Sequence, residues 1–433
     1  MDLLTVNDRP GEYPPSYYAS RATPLPRCAP AHGAIRCDVC VIGGGFTGLS
    51  TALHLAQRGY DVRLVEAQRL AFGASGRNGG QVGQGQRLDQ DALEQMFGKP
   101  RARELWDIGV QAVEKVRALA ATPQVEAVFH EGIAHADHRA RFVPHSRAYV
   151  EKLNTDYDYP HIRFLDAEEM RATIASPAYH GGTLDTRSGH IDPLQLALGL
   201  ARMAQAAGAT PHEMSRVTAI EDGPKVTVRT EAAEITAEHV VLACNGYVGD
   251  LSPRVARHVM PINNYIVATR PFAPEEQEAL IRGNVAVADS KFVINYFRFS
   301  YDHRLLFGGT ESYGYRFPRD IAGQVRRPLE EIFPQLRGIG IEAAWGGRLA
   351  ITMNRLPHCE WLSGRILSLS GFSGQGVALG TLAGEIAAET IAGQAERFDV
   401  MAAIPTPTFP GGALLRQPLL VAAMLWFSLR DRL

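Results

Sequence analysis

The sequence predicts an α/β fold accompanied by a second, antiparallel sheet. Three observations carry this reading. Residues 37–66, CDVCVIGGGFTGLSTALHLAQRGYDVRLVE, run strand, glycine turn, helix, strand. Residues 366–393, ILSLSGFSGQGVALGTLAGEIAAETIAG, repeat the order strand, glycine turn, helix. Between them, Val285–Thr310 alternates as paired strands do, with SYDHR at the expected hairpin turn.

The spacing in the first unit is informative. Gly43, Gly45 and Gly48 form G-x-G-x-x-G between the strand Asp38–Ile42 and a helix that runs to about Arg58. Gly43 permits the tight turn, Gly45 lets a pyrophosphate approach the backbone, and Gly48 lets the helix pack close to the strand. Phe46 and Thr47 open the helix, whose free N–H groups and partial positive charge face the phosphate. Glu66, followed by Ala67, ends the second strand, where a carboxylate accepts hydrogen bonds from ribose hydroxyls. Strand, helix, strand and acid at these distances make a Rossmann-like dinucleotide site rather than a chance glycine turn. The motif alone does not separate NAD from FAD.

The stretch AFGASGRNGGQ (71–81) follows almost directly. Gly73, Gly79 and Gly80 supply backbone freedom, and Ser75, Arg77, Asn78 and Gln81 supply anion and amide contacts. A second glycine loop here suits an isoalloxazine ring and its ribityl-pyrophosphate chain. Two later segments favour FAD as well. EHVVLACNGYVGDL (238–251) is a buried strand ending in Ala243, Cys244, Asn245 and Gly246, the form of a strand whose C-terminal end meets a cofactor. In the 366–393 unit, Gly371, Phe372, Ser373, Gly374, Gln375, Gly376 and Val377 precede a helix whose open amides suit the negative charge of a reduced flavin.

Composition bounds the rest. The 433 residues are 45% hydrophobic and 21% charged, with a net charge of -2, which suits two soluble domains and no nucleic-acid partner. Five cysteines are too few and too scattered for a disulfide framework, and the single C-x-x-C of CDVC lies within a strand. The histidines His130, His135 and His138 fall on a strand that splits them between faces, so no metal site is expected. Residues 1–34, rich in proline and tyrosine, read as an extended surface arm without the features of a signal peptide. No run reaches the roughly 18 apolar residues of a membrane span, so a cytoplasmic location is expected. The last segment, 414–433, is apolar through Leu419–Leu429 and flanked by arginines. Docking on the body is the plainer reading. The sharper one is a peripheral contact with a partner or with the inner face of a membrane.

The stretches VIGGGFTGLSTALHLA, GASGRNGGQ, SGHIDPLQLALGLA, VVLACNGY, PINNYIVATRP, NYFRFSYDHRLLFGG, WGGRLAITMNRLPH, GFSGQGVALGTLAGEIAAE and FPGG..LRQPLL together resemble the D-amino-acid-oxidase-like FAD oxidoreductases. Within them the chain is similar to the gamma-glutamylputrescine oxidoreductase group. The resemblance implies a Rossmann-like FAD domain assembled from discontinuous pieces, here 35–88, 181–258 and 341–400. It implies a substrate domain, 89–180 and 259–340, whose antiparallel sheet roofs the flavin, and a C-terminal extension, 401–433, with the apolar helix. Val217 and Gly347 complete the expected FAD contacts.

The implied reaction is oxidation of an amine C–N bond by hydride transfer to flavin N5. Imine hydrolysis follows, and dioxygen or another acceptor reoxidises the flavin. For gamma-glutamylputrescine, a substrate of polyamine catabolism, the products are an aldehyde, ammonia and hydrogen peroxide. The alternatives are a secondary or cyclic amino acid such as pipecolate, a dehydrogenase feeding a membrane quinone, and a flavoprotein subunit without turnover.

Three positions depart from sarcosine-oxidase-type relatives. Ala378 stands where they use a carboxylate-binding lysine. The WGGRLAIT stretch lacks their flavin-tethering cysteine, so noncovalent FAD is expected. Gln375 replaces a histidine and cannot titrate near neutrality. No catalytic base is assigned. Tyr265, Tyr296, Arg298, Trp345 and Arg348 are the candidates for substrate contact, with Arg298 placed to fork a carboxylate if its face looks at the flavin. Lys291, the only lysine after Lys225, is the candidate for oxygen activation.

Overall fold

The computed structural model describes residues 2–410. Its first sheet is built on a parallel core in the order Ile366–Ser370, Ala233–Leu242, Gly33–Ile42, Val62–Val65, with Thr210–His212 at one edge and the antiparallel His358–Ser363 at the other. Val39, Cys40, Val41 and Ile42 are all buried, as expected for a central parallel strand covered on both faces. The helices Phe46–Gln57 and Ala378–Ile391 pack on each other. At Gly384 a Cβ would sit 2.4 Å from the Thr47 carbonyl oxygen, so this close approach requires glycine.

The second sheet has nine strands. Its path runs Ile341–Ile351, Met260–Pro271, Arg304–Ser312, Tyr296–Phe299, Ala286–Asp289, His130–Ala136, Gly182–His190, Gln81–Val82, with Ile162–Leu165 beside Gly182–His190. All pairings except the one between Ala286–Asp289 and His130–Ala136 are antiparallel. The SYDHR hairpin closes through the Ser300 N–H on the Arg304 carbonyl, with His303 at φ 62°. Gly182–His190 and Ile341–Ile351, which the sequence division placed with the nucleotide-binding pieces, pair in this sheet instead. Apolar alternation marks a strand but does not name its neighbour; only the ladder does.

Beyond the glycine loop, two helices, Gln90–Phe97 and Lys99–Ala120, are separated by a break at Gly98 with φ 78°. A helix spans Pro193–Ala206, capped by Asp192 on the Leu194 and Gln195 amides. The N-terminal arm corrects the sequence reading. It is not a simple surface strap: Tyr18 is fully buried on the short helix Tyr17–Arg21, and Asp8 is buried against Arg77. Its aromatic and carboxylate groups have partners inside the molecule, which its proline-rich composition does not reveal. The apolar C-terminal segment lies outside the described residues. No helix among the described residues is long and apolar enough to cross a membrane.

Candidate active site

Residues from both sheets line one cavity of about 1090 Å³. Two helices begin at it: Phe46–Gln57, with Gly45 as N-cap, and Ala378–Ile391, with Val377 as N-cap. Their first-turn amides and positive dipole ends converge on the cavity, an arrangement that favours an anion.

The glycine turn after the first strand has no room for side chains. A Cβ on Gly48 would meet the Gly43 carbonyl oxygen at 1.8 Å, and one on Gly43, where φ is 109°, would meet the Ala243 oxygen at 2.7 Å. Glu66 closes the turn, its Oε2 accepting from the Gly44 N–H at 2.7 Å and its Oε1 from the Gln68 N–H at 2.8 Å. Burial pushes its pKa up, against the pull of those amides. The donors and acceptors of this cradle fit the adenosine and pyrophosphate of FAD, and the cavity has volume beyond that for a ring and a substrate.

The 71–81 loop folds on itself beneath the second sheet. Asn78 Nδ2 donates to the Ala74 and Ser75 carbonyls at 3.0 Å, and Asn78 Oδ1 accepts from the Gly80 N–H at 2.7 Å. Ser75 Oγ accepts from the Phe46 N–H at 2.9 Å, tying the loop to the helix start. Of the cofactor-contact candidates, only Gly48, Gly80, Gly246 and Gly371 do not line the cavity. Each of these four packs against neighbouring protein atoms instead, Gly48 against the Gly43 carbonyl and Gly80 against that of Ile191.

Strand parity separates Asn264 from the candidate Tyr265. Gly347, Asn264 and Glu311 are register neighbours across three adjacent strands and share the cavity face. Tyr265 therefore points the other way. It is fully buried, edge-on to Phe317 at 5.6 Å, with its hydroxyl 2.5 Å from Ser312 Oγ. Trp345 is buried too, donating Nε1–H to the Arg77 carbonyl at 2.9 Å and packing its ring against Tyr18. Neither lines the cavity.

Arg298 is a clearer correction. Its Nε donates to the Gly79 carbonyl at 2.6 Å, Nη1 to the Phe299 carbonyl at 3.1 Å, and Nη2 to the Ile191 carbonyl and the Tyr18 hydroxyl, both at 3.1 Å. With every nitrogen engaged and the side chain buried away from the cavity, it has no fork for a carboxylate. It clamps the glycine loop and the arm to the roof.

Tyr296 and Arg348 do line the cavity. The Tyr296 ring lies between Gly79 and Gly308, where a Cβ would come within 2.6 Å and 2.3 Å of its atoms, and its hydroxyl donates to Asn264 Oδ1. Arg348 gives Nη1 to the Leu3 carbonyl at 2.5 Å and Nη2 to the Tyr315 carbonyl at 2.7 Å. Lys291 lies in the loop after Ala286–Asp289, its N–H on Asp289 Oδ1 at 3.2 Å, and does not line the cavity.

Sequence reasoning missed Asn264, Arg87, Glu311, Arg355 and the arm residues Asp2, Leu3 and Leu4, all of which line the cavity. Counting parity from Gly347 would have chosen Asn264 over Tyr265 had the strand register been known. No local pattern marks the others.

Residues 38–390 match the family described as DAO, FAD dependent oxidoreductase. The chain is 41% identical over 401 residues to a probable oxidoreductase OrdL of Rhizobium meliloti (strain 1021), covering 92% of this chain and 93% of that protein. It is 38% identical over 426 residues to a gamma-glutamylputrescine oxidoreductase of Escherichia coli (strain K12), covering 98% and 99%. Among solved structures, glycine oxidase from Geobacillus kaustophilus aligns with a TM-score of 0.72 at 21% identity, over 84% of this chain and 96% of that one. The last shows a shared fold. The match over most of the chain, together with the glycine cradle it spans, makes this protein a member of the DAO family of FAD dependent oxidoreductases.

Proposed function

We propose that the protein oxidises a primary amine carried on a polar chain, gamma-glutamylputrescine or a close relative, with FAD held noncovalently. The observation that carries this is the similarity to a gamma-glutamylputrescine oxidoreductase over 98% of the chain. The cavity is consistent with it, since it continues past the nucleotide cradle to polar residues of the second sheet.

FAD held in the cradle would supply a hydride acceptor for the amine, with dioxygen or another acceptor taking up the electron pair. The amine carbon loses hydride and the nitrogen loses a proton, leaving an imine that water hydrolyses to aldehyde and ammonia. The protein's own part is placement. Asn264 and the two flanking glycines hold the Tyr296 ring against the 71–81 loop, forming one wall of the reaction space. Burial raises the Tyr296 pKa, with Tyr18 and Glu311 adding to it, so the phenol stays neutral and serves as wall and hydrogen-bond group rather than as base.

The test is anaerobic mixing of the yellow holoenzyme with gamma-glutamylputrescine, putrescine, pipecolate, proline and sarcosine, following the flavin band at about 450 nm. Rapid bleaching by gamma-glutamylputrescine ahead of the others is expected. Bleaching by the imino acids alone would overturn the substrate class while keeping the hydride chemistry.

A further inference from the structure

We propose that Arg87, Arg355 and Glu311 form a subsite for an amino-carboxylate group on the substrate, the two guanidiniums taking the carboxylate and Glu311 the ammonium. This rests on the amine-oxidation reading of the same cavity and names what the other end of the amine must carry.

Arg87 follows the short strand Gln81–Val82 and lines the cavity. Among the described residues it has no hydrogen bond or ion pair; its electrostatic neighbours are Arg355, Glu311 and the buried His135. Other enclosed arginines here are engaged by the protein: Arg298 makes four hydrogen bonds, and Arg77 pairs with the Asp8 carboxylate. Arg355 lines the same space, reached from a turn where its own φ is 63°, with its guanidinium 5.3 Å from the Phe292 ring centre. Glu311 stands in register with Asn264, on the cavity face of the roof, and accepts from the Tyr313 hydroxyl at 3.5 Å.

The electrostatics agree with the geometry. Burial and then the like charge of Arg355 bring Arg87 down to about 10, and burial raises Glu311. Two cations face one carboxylate, so positive charge is left over in a site shielded from bulk water. A ligand carboxylate completes the set by a charge-assisted fork. An adjacent ammonium then has Glu311 to itself. Putrescine, with no carboxylate, leaves both guanidiniums without a partner.

The experiment is anaerobic isothermal titration calorimetry of the oxidised holoenzyme with two probes. L-glutamine carries the amino-carboxylate and a γ-amide but no distal amine. Glutaramate is the same molecule without the α-amino group. L-glutamine is expected to bind, Arg87→Met and Arg355→Met each to weaken it about tenfold or more, and Arg87→Lys to recover part of the loss. Glu311→Gln is expected to abolish the preference for L-glutamine over glutaramate. FAD content and the visible spectrum of each variant report folding, and a variant that loses FAD is replaced by the other arginine's. No binding by the native holoenzyme, or unchanged binding in both arginine variants, overturns the subsite. The readout does not use turnover. L-glutamine binding without flavin reduction by any amine would refute the amine-oxidation reading and leave the subsite standing.

Discussion

Asp8 and Arg77 meet as a buried ion pair, with Arg77 Nη1 3.0 Å from both carboxylate oxygens and side-chain exposures of 4% and 1%. The Arg77 side chain also donates Nε–H to the Phe72 carbonyl at 2.7 Å, and the Arg77 backbone carbonyl accepts from Trp345 Nε1–H. A residue expected to contact cofactor thus joins the N-terminal arm, the glycine loop and the roof. Replacing Asp8 by Asn leaves a buried guanidinium without its counter-charge, a loss of about 3–5 kcal/mol. Urea unfolding should show a lower midpoint, and the purified variant should carry less flavin per chain. An unchanged midpoint would refute the arm's structural role.

Arg298 makes a contrasting prediction. Arg298→Met strips hydrogen bonds from the Gly79 and Ile191 carbonyls and should destabilise by about 2–3 kcal/mol. KM for the amine should stay within about twofold, because the side chain does not reach the cavity. A large rise in KM with unaltered stability would restore it as a substrate ligand.

Gly48→Ala tests the cradle. The new methyl would lie 1.8 Å from the Gly43 carbonyl oxygen, so the turn must move. Overpacking of this kind costs about 1–3 kcal/mol, and FAD affinity should fall about tenfold or more. Fluorescence of free flavin on dilution measures it; full retention would show that the turn relaxes without touching the binding site.

The pH dependence of stability has a local source beneath the cradle. Glu385 sits 2.5 Å from Lys115 Nζ and 2.9 Å from Arg397 Nη2. Burial alone would raise its pKa, but hydrogen bonds from Lys115 and Arg397 outweigh this and hold it at about 2. A carboxyl held lower in the folded chain than in the unfolded one stabilises the fold above its ordinary value, near 4.5. That contribution fades as pH falls from there toward 2. Melting temperatures between neutral pH and about pH 3 should drop less steeply in Glu385→Gln, which should already be weaker at neutrality. A parallel drop in variant and native protein would place the acid sensitivity elsewhere.

The sequence by itself determined the nucleotide cradle. Gly43, Gly45, Gly48 and Glu66 lie within 24 consecutive residues, and their geometry is imposed by a local strand, turn and helix. The 366–393 unit and the SYDHR hairpin were legible for the same reason: short-range backbone constraints act on neighbours in the chain. Everything that depends on a choice of partner was left to the tertiary structure. Only the ladder among Ile341–Ile351, Met260–Pro271 and Arg304–Ser312 sends Asn264 into the cavity and Tyr265 away from it. A shift of one residue reverses every side chain on a strand, and alternation alone does not set it. Arg298 and Arg87 look alike as arginines in polar surroundings, yet one is held by carbonyls from Gly79 and Ile191 and the other lines the cavity with no hydrogen bond among the described residues. Their difference rests on contacts between residues as many as 280 positions apart, brought together by packing that no local pattern encodes.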